Sequence, residues 1–95
     1  PKPLGIDEQD KIITPLKRLL IDAHPEIRFQ SEQRSISIIL PKTSVKIVVY
    51  PAMWALPMQS ENTLYLSDKL VKNALPKAFD EVDNHVKYLL RGVST

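Results

Sequence analysis

An apolar stripe at helical spacing is the feature of this 95-residue chain that most restricts its fold. Its members recur three or four residues apart, as on one face of an α-helix. The phase of the stripe is kept across Pro76, which predicts two helical pieces, about 68–74 and 76–91, joined at a proline kink. Ser67 or Asp68 is the expected N-cap, and Gly92 the expected C-terminal stop. The stripe consists of Leu70, Val71, Ala74, Leu75, Ala78, Phe79, Val82, Val86, Leu89 and Leu90.

The middle of the chain changes to a period of two, which is the spacing of β-strands. Three alternating segments lie between residues 26 and 50, and short turns at 31–33 and 41–43 separate them. Such turns join antiparallel neighbours, so the pattern predicts a three-stranded antiparallel meander. A further short strand over 63–66 is compatible with the sequence. The alternating apolar positions are Ile27, Phe29, Ile36, Ile38, Leu40, Val45, Ile47 and Val49.

A second helical pattern precedes the strands and predicts a helix between about 7 and 23, with Asp7 as a candidate N-cap. Pro15 leaves two alternatives open, because the helix either kinks there or begins there with Thr14 as N-cap. The residue before a proline is pushed out of the α region, so His24-Pro25 should end the helix. The repeating apolar residues are Ile12, Ile13, Leu16, Leu19, Leu20 and Ala23.

These patterns predict an α+β domain with the order α-β-β-β-α, in which a meander carries an N-terminal helix and a Pro-kinked C-terminal helix. Residues 1–95 have the length of a single domain, and 43% hydrophobic and 25% charged residues are ordinary for a folded protein. Residues 1–6 include Pro1, Pro3 and Gly5 and resemble a linker, so we expect the chain to be part of a larger protein.

The sequence contains no apolar run of the roughly 20 residues that a membrane helix requires, and no signal-peptide pattern at its start. We therefore expect no membrane association and a cytoplasmic location. The chain has no cysteine, which excludes disulfides and thiolate chemistry but is compatible with either redox compartment.

A polar cluster near the C-terminus is the only group of residues that suggests a metal or acid–base site; it comprises Asp80, Glu81, Asp83, Asn84 and His85. Helical periodicity, however, places Asp80, Asp83, Asn84 and Lys87 on the side facing water, with Asp83 and Lys87 as an i,i+4 ion pair. His85 follows Glu81 by four residues, but the other histidine, His24, is far away in sequence.

Catalytic signatures are also missing from the sequence. No serine stands in a glycine-flanked turn, and the two glycines, Gly5 and Gly92, lie at opposite ends of the chain and form no phosphate-binding loop. We expect a protein that is not an enzyme and has no metal, cofactor or small-molecule substrate.

Apolar side chains on both faces of the predicted meander indicate a contact surface. Ile39, Val48 and Tyr50 fall on the face opposite the core, and the uncharged segment 51–60 is apolar. This segment either folds back as part of the core or stays exposed and docks a partner. We favour a non-enzymatic interaction domain that mediates protein–protein contact or homodimerisation. The predicted partner-binding residues are Met53, Trp54, Leu56, Met58, Ile39, Val48 and Tyr50.

The alternative is an accessory nucleic-acid-binding domain. The net charge is only +2, and residues 32–60 hold Arg34, Lys42 and Lys46 against Glu32. These residues could neutralise only a few phosphates, so binding should be weak. The residues for this alternative are Arg28, Arg34, Lys42 and Lys46, with Tyr50 as a stacking platform.

Substitution of Trp54 distinguishes the two readings of the apolar segment. If Trp54 completes the core, Trp54→Ala should cost roughly 3–5 kcal/mol of unfolding free energy. If Trp54 contacts a partner, the cost should stay within about 0.5 kcal/mol while self-association or partner binding weakens. We expect the second result in thermal melts and sedimentation over a range of concentrations. A concentration-independent monomer that Trp54→Ala strongly destabilises would assign the segment to the core.

Overall fold

The computed structural model describes residues 4–52 and 63–91, which form a four-stranded sheet with three helices packed on one face. The predicted α+β class is confirmed. In chain order the elements are α1 (Ile6–Ala23), β1 (Arg28–Ser31), β2 (Ile36–Ile39), β3 (Ser44–Tyr50), β4 (Thr63–Ser67), α2 (Asp68–Asn73) and α3 (Leu75–Leu90).

The sheet has the order β1-β2-β3-β4, and its first three strands form the predicted antiparallel meander. Ile38 stands opposite Phe29 on one side and Val45 on the other. The prediction of three strands is incomplete, because β4 pairs with β3 in parallel, with Val48 opposite Tyr65. A tight turn cannot join parallel strands, so the turn signals that identified the meander carried no information about this pair.

Helix α1 runs through Pro15, so the alternative in which the helix begins there is wrong. Gly5 is its N-cap instead of Asp7, and the helix ends at His24 as predicted. Pro15 has no N–H, so the carbonyl of Lys11 lacks the hydrogen bond that the fourth residue along would normally donate. Pro15 and Lys11 are both exposed, so water can reach this carbonyl.

The C-terminal stripe forms two helices, as predicted, but the break between them is not a kink at Pro76. Ala74, with φ −138° and ψ 54°, is non-helical, and Pro76 lies in the first turn of α3. A proline is tolerated there because first-turn N–H groups have no partner inside the helix. Ser67 caps α2 as predicted: its hydroxyl accepts hydrogen bonds from the backbone N–H groups of Lys69 at 3.1 Å and Leu70 at 3.3 Å.

The core lies between the helices and one face of the sheet. Side chains from all three helices meet those that the strands direct to this face, and burial of this apolar surface is the main source of stability. The fully or nearly buried members are Ile12, Ile13, Leu16, Leu20, Ile27, Ile36, Ile38, Leu40, Val45, Ile47, Val49, Leu66, Val71, Ala78, Val82 and Val86.

Gln9 is a polar side chain inside this core, with 0% of its surface exposed. Its Nε2 donates to the carbonyl of Leu4 at 3.1 Å and to that of Arg34 at 3.0 Å. Its Oε1 accepts from the N–H of Val49 at 3.0 Å. One amide therefore joins α1 to the loop between β1 and β2 and to the backbone of β3.

Replacement of Gln9 should be among the more damaging single substitutions in the chain. Gln9→Ala leaves a buried N–H and two carbonyls without partners and creates a cavity, so we expect a loss of about 2–4 kcal/mol of unfolding free energy. Chemical denaturation measures this loss. Gln33→Ala is the matched control, because Gln33 is exposed and should change stability by less than about 0.5 kcal/mol. Equal, small effects of the two substitutions would contradict the role of Gln9.

Candidate interaction surface

The face of the sheet opposite the core is the candidate site, and the strand register arranges its side chains in rows. Gln30, Ser37, Lys46 and Thr63 form a polar row across all four strands. On one side of this row Val48 stands beside Tyr65, followed by Tyr50 beside Ser67. On the other side lie Arg28, Ile39 and Ser44.

The register therefore divides the predicted contact residues. Val48 and Tyr50 are neighbours on one face of β3, whereas the polar row containing Ser37 and Lys46 separates Ile39 from both of them. Ile39 and Val48 are each half-buried. The remaining predicted partner-binding residues, Met53, Trp54, Leu56 and Met58, lie outside the described residues.

Tyr65 belongs to this surface although the sequence analysis did not select it. It is half-buried and stands directly beside Val48, and the two side chains make up an apolar pair across β3 and β4. Recognition of Tyr65 required the parallel register, for which the sequence contains no turn signal.

Tyr50 is nearly enclosed, with 6% of its surface exposed. Burial raises the pKa of its hydroxyl above the ordinary value of 10.0, and the nearby carboxylates of Glu81 and Asp68 add to the rise. The hydroxyl therefore stays neutral at physiological pH. An enclosed ring presents little surface on which a nucleic-acid base could stack.

The four basic residues considered for nucleic-acid binding do not form one patch. Arg34 lies in the loop before β2 and Lys42 in the turn after it, at opposite ends of that strand. Lys46 Nζ lies 4.0 Å from Glu32 Oε1, and both side chains are exposed. Arg28 projects from the outermost strand, β1. A nucleic-acid backbone would therefore contact these cations only one at a time, without a continuous positive surface.

A buried polar cluster lies in the helix layer, where α1 ends against α3. His24 Nε2 donates to Asp83 Oδ1 at 2.6 Å, and Lys87 Nζ donates to Asp83 Oδ2 at 3.0 Å. The predicted ion pair of Asp83 with Lys87 is confirmed. The prediction that Asp83 faces water is wrong, because this residue is 6% exposed. Its buried partner, His24, is 59 positions away in the chain, and helical spacing within α3 cannot reveal such a contact.

The charge of Asp83 depends on these two partners. Burial alone would raise the pKa of its carboxyl, but the hydrogen bonds from His24 and Lys87, together with their charges, outweigh burial. The pKa is lowered below the ordinary value of 3.8, so the carboxylate is ionised near neutral pH. The cluster thus joins the end of α1 to the middle of α3 by charge-assisted hydrogen bonds.

The polar cluster around His85 shows no metal-binding arrangement. Among residues 4–52 and 63–91, no group of three or more His, Asp or Glu side chains is placed to hold a metal ion. Glu81 is exposed and His85 is half-buried. The other histidine, His24, is hydrogen-bonded to Asp83 of this cluster.

Comparison of the chain with protein-family models, with curated proteins and with solved structures gave no match. No helix in the described part of the chain combines the length and the apolar character needed to cross a membrane.

Acid should weaken the wild-type protein through Asp83. Because the pKa of this carboxyl is lower in the folded protein than in the unfolded chain, its stabilising effect is complete above the ordinary value of 3.8. It is lost as the pH falls through the lowered folded pKa. Asp83→Asn should therefore lose stability at neutral pH, by roughly 1–3 kcal/mol, and lose less on further acidification than the wild type.

Urea denaturation at a series of pH values measures both effects. Asp80→Asn is the matched control, because Asp80 lies on the same helix and is exposed. Its acid dependence should follow that of the wild type. An unchanged acid dependence in Asp83→Asn would show that the cluster does not stabilise the fold through its charge.

Proposed function

We propose that this protein is a non-enzymatic interaction domain that forms a homodimer through the outer face of its sheet. One observation carries the proposal: Val48 and Tyr65 stand side by side and only half-buried on the face away from all three helices. Neither side chain belongs to the core between the sheet and the helices. Tyrosine is enriched at protein interfaces because it combines a large apolar surface with a polar end.

The surroundings of this pair have the composition of an interface. Small polar side chains, those of Thr63 and Ser67, lie on either side of Tyr65 on the same face. An apolar centre with a polar rim is the usual anatomy of a protein contact. The two cations of the face are Arg28, on the outermost strand β1, and Lys46, two residues before Val48 on β3; Glu32 is close to Lys46.

A second copy of the chain is the partner that this arrangement favours. In a twofold contact both subunits use the same patch, so Val48 and Tyr65 of one subunit would contact the same two residues of the other. Sheets that stack face to face bury the side chains of both faces. We expect the predicted residues Met53, Trp54, Leu56 and Met58 to extend this contact. Nucleic-acid binding has no comparable support, because its four basic residues are dispersed.

Introduction of a charge at the centre of the pair should disrupt the dimer. Sedimentation velocity of the wild type, from low micromolar to near-millimolar concentration, should show a reversible monomer–dimer equilibrium that added salt does not weaken. Val48→Lys should remain monomeric throughout, because burying its ammonium group in the interface is unfavourable. Its own unfolding free energy as a monomer should change by no more than about 1 kcal/mol.

Ser44→Lys is the matched control, because it places the same charge on the same strand and face but away from the pair. This variant should dimerise like the wild type. A wild type that stays monomeric at every concentration would overturn homodimerisation, and equal effects of the two lysines would show that Val48 is not at the centre of the contact.

A further inference from the structure

A cleft of about 560 Å³ opens in the helix layer, between α1 and the junction of α2 with α3. It is separate from the outer face of the sheet, because none of the residues around it belongs to a strand. Its apolar part consists of Ile12, Pro15, Val71 and Leu75. Its charged rim consists of Glu8, Lys11 and Lys72.

The apolar part of the cleft is preformed. Val71 is 1% exposed and Ile12 is 9% exposed, and both belong to the core. Leu75 is half-buried and packs against the same core. The floor is therefore held in place by contacts on its inner side, and a ligand would not have to order it.

Pro15, one of the residues around the cleft, interrupts the hydrogen bonding of α1. Proline within a helix is unfavourable, and here it leaves the carbonyl of Lys11 without its intrahelical donor. Lys11 and Pro15 both line the cleft. This carbonyl needs a donor from outside the helix, which water or a ligand can supply. Departures from local helix rules concentrate at functional sites, which makes the position of Pro15 informative.

The rim of the cleft has an excess of positive charge. Lys11 and Lys72 make no ion pair with any residue in the described ranges, and Glu8 makes none either. Two unpaired cations against one unpaired carboxylate favour an anionic ligand. An anion alone would leave the apolar surface of Pro15 and Leu75 in contact with water.

We propose that this cleft binds a short acidic segment of a partner protein, in which a bulky apolar side chain is flanked by Asp or Glu. The apolar side chain would cover Pro15 and Leu75, above the buried Ile12 and Val71. The flanking carboxylates would pair with Lys11 and Lys72, and an N–H of the segment would donate to the Lys11 carbonyl. This site lies on another surface than the proposed dimer contact and does not depend on it.

The geometry favours a peptide over the other anionic ligands. A small molecule bound in a protein usually has most of its surface enclosed, whereas this cleft is open to solvent. A nucleic-acid backbone needs a continuous row of cations, and here Glu8 shares the rim with only two lysines. A short peptide can bind with one apolar side chain in a pocket and its charged side chains at the rim, and this cleft offers both features.

Nuclear magnetic resonance titration of the whole chain tests the proposal directly. The probe is a capped hexapeptide in which leucine and tryptophan stand between two pairs of aspartates, and its partner is the same peptide with asparagines. The aspartate peptide should shift the signals of Ile12, Val71 and Leu75 and leave those of Val48 and Tyr65 unchanged. It should bind more tightly than the asparagine peptide, and added salt should reduce this difference.

Single substitutions assign the charges. Lys11→Gln and Lys72→Gln should each weaken binding about two- to fivefold, the range of a solvent-exposed ion pair. Glu8→Gln should strengthen binding, because it removes the one repulsive charge. Lys77→Gln is the matched control, since Lys77 is exposed on α3 outside the cleft, and it should change nothing. Pro15→Ala supplies the missing N–H, so it should raise the melting temperature and weaken binding.

Four results would overturn the proposal: no shift at Ile12, Val71 and Leu75 at millimolar peptide, equal affinity for the aspartate and asparagine peptides, equal binding by Lys72→Gln and Lys77→Gln, or shifts confined to the sheet face. The dimer proposal and the cleft proposal can be disproved independently, because Val48→Lys tests sedimentation and Lys72→Gln tests peptide affinity.

Discussion

The three hydrogen bonds of Gln9 are the constraint on which the other contacts of this fold depend. Strand β2, the antiparallel neighbour of β3, begins at Ile36, which stands opposite Ile47. Val49 therefore lies beyond the end of β2, and no residue of β2 pairs with its N–H. A buried N–H without a partner is costly, and the Gln9 side chain removes that cost while it also reaches the loop before β2. Because apolar contacts have little directional preference, a bridge of this kind selects one placement of α1 over the sheet.

The cluster of His24, Asp83 and Lys87 fixes the position of α3 against α1, as Gln9 fixes the position of α1 on the sheet. Apolar packing alone would allow α3 to slide or rotate against α1. The 2.6 Å hydrogen bond from His24 to Asp83 limits this movement, and Lys87, on the same helix as Asp83, holds the carboxylate in place at 3.0 Å. The two polar contacts lie near opposite ends of α1, at Gln9 and at the His24 cap, so the helix is held at both ends.

The part of the fold that could be predicted from sequence is the part set by contacts between near neighbours. Helical and strand periods, the Ser67 cap and the turns of the meander are all local signals. Strand β4 was missed as a member of the sheet because its pairing with β3 is parallel. Asp83 was assigned to water because its partner His24 is distant in sequence. For the outer face, alternation placed Val48 correctly, but only the register shows that Tyr65 adjoins it and that Ile39 does not.

The two proposed surfaces are connected through the Gln9 bridge. Glu8, on the rim of the cleft, precedes Gln9, and Gln9 accepts a hydrogen bond from Val49, which follows Val48 on the outer face. A path of contacts does not by itself transmit a signal, because coupling requires an element with two alternative arrangements. Gln9 is fully buried and already bonded to three backbone groups, and another arrangement would leave some of them without partners. The bridge is therefore a rigid support, which fixes the cleft and the outer face relative to each other and leaves each free to bind on its own.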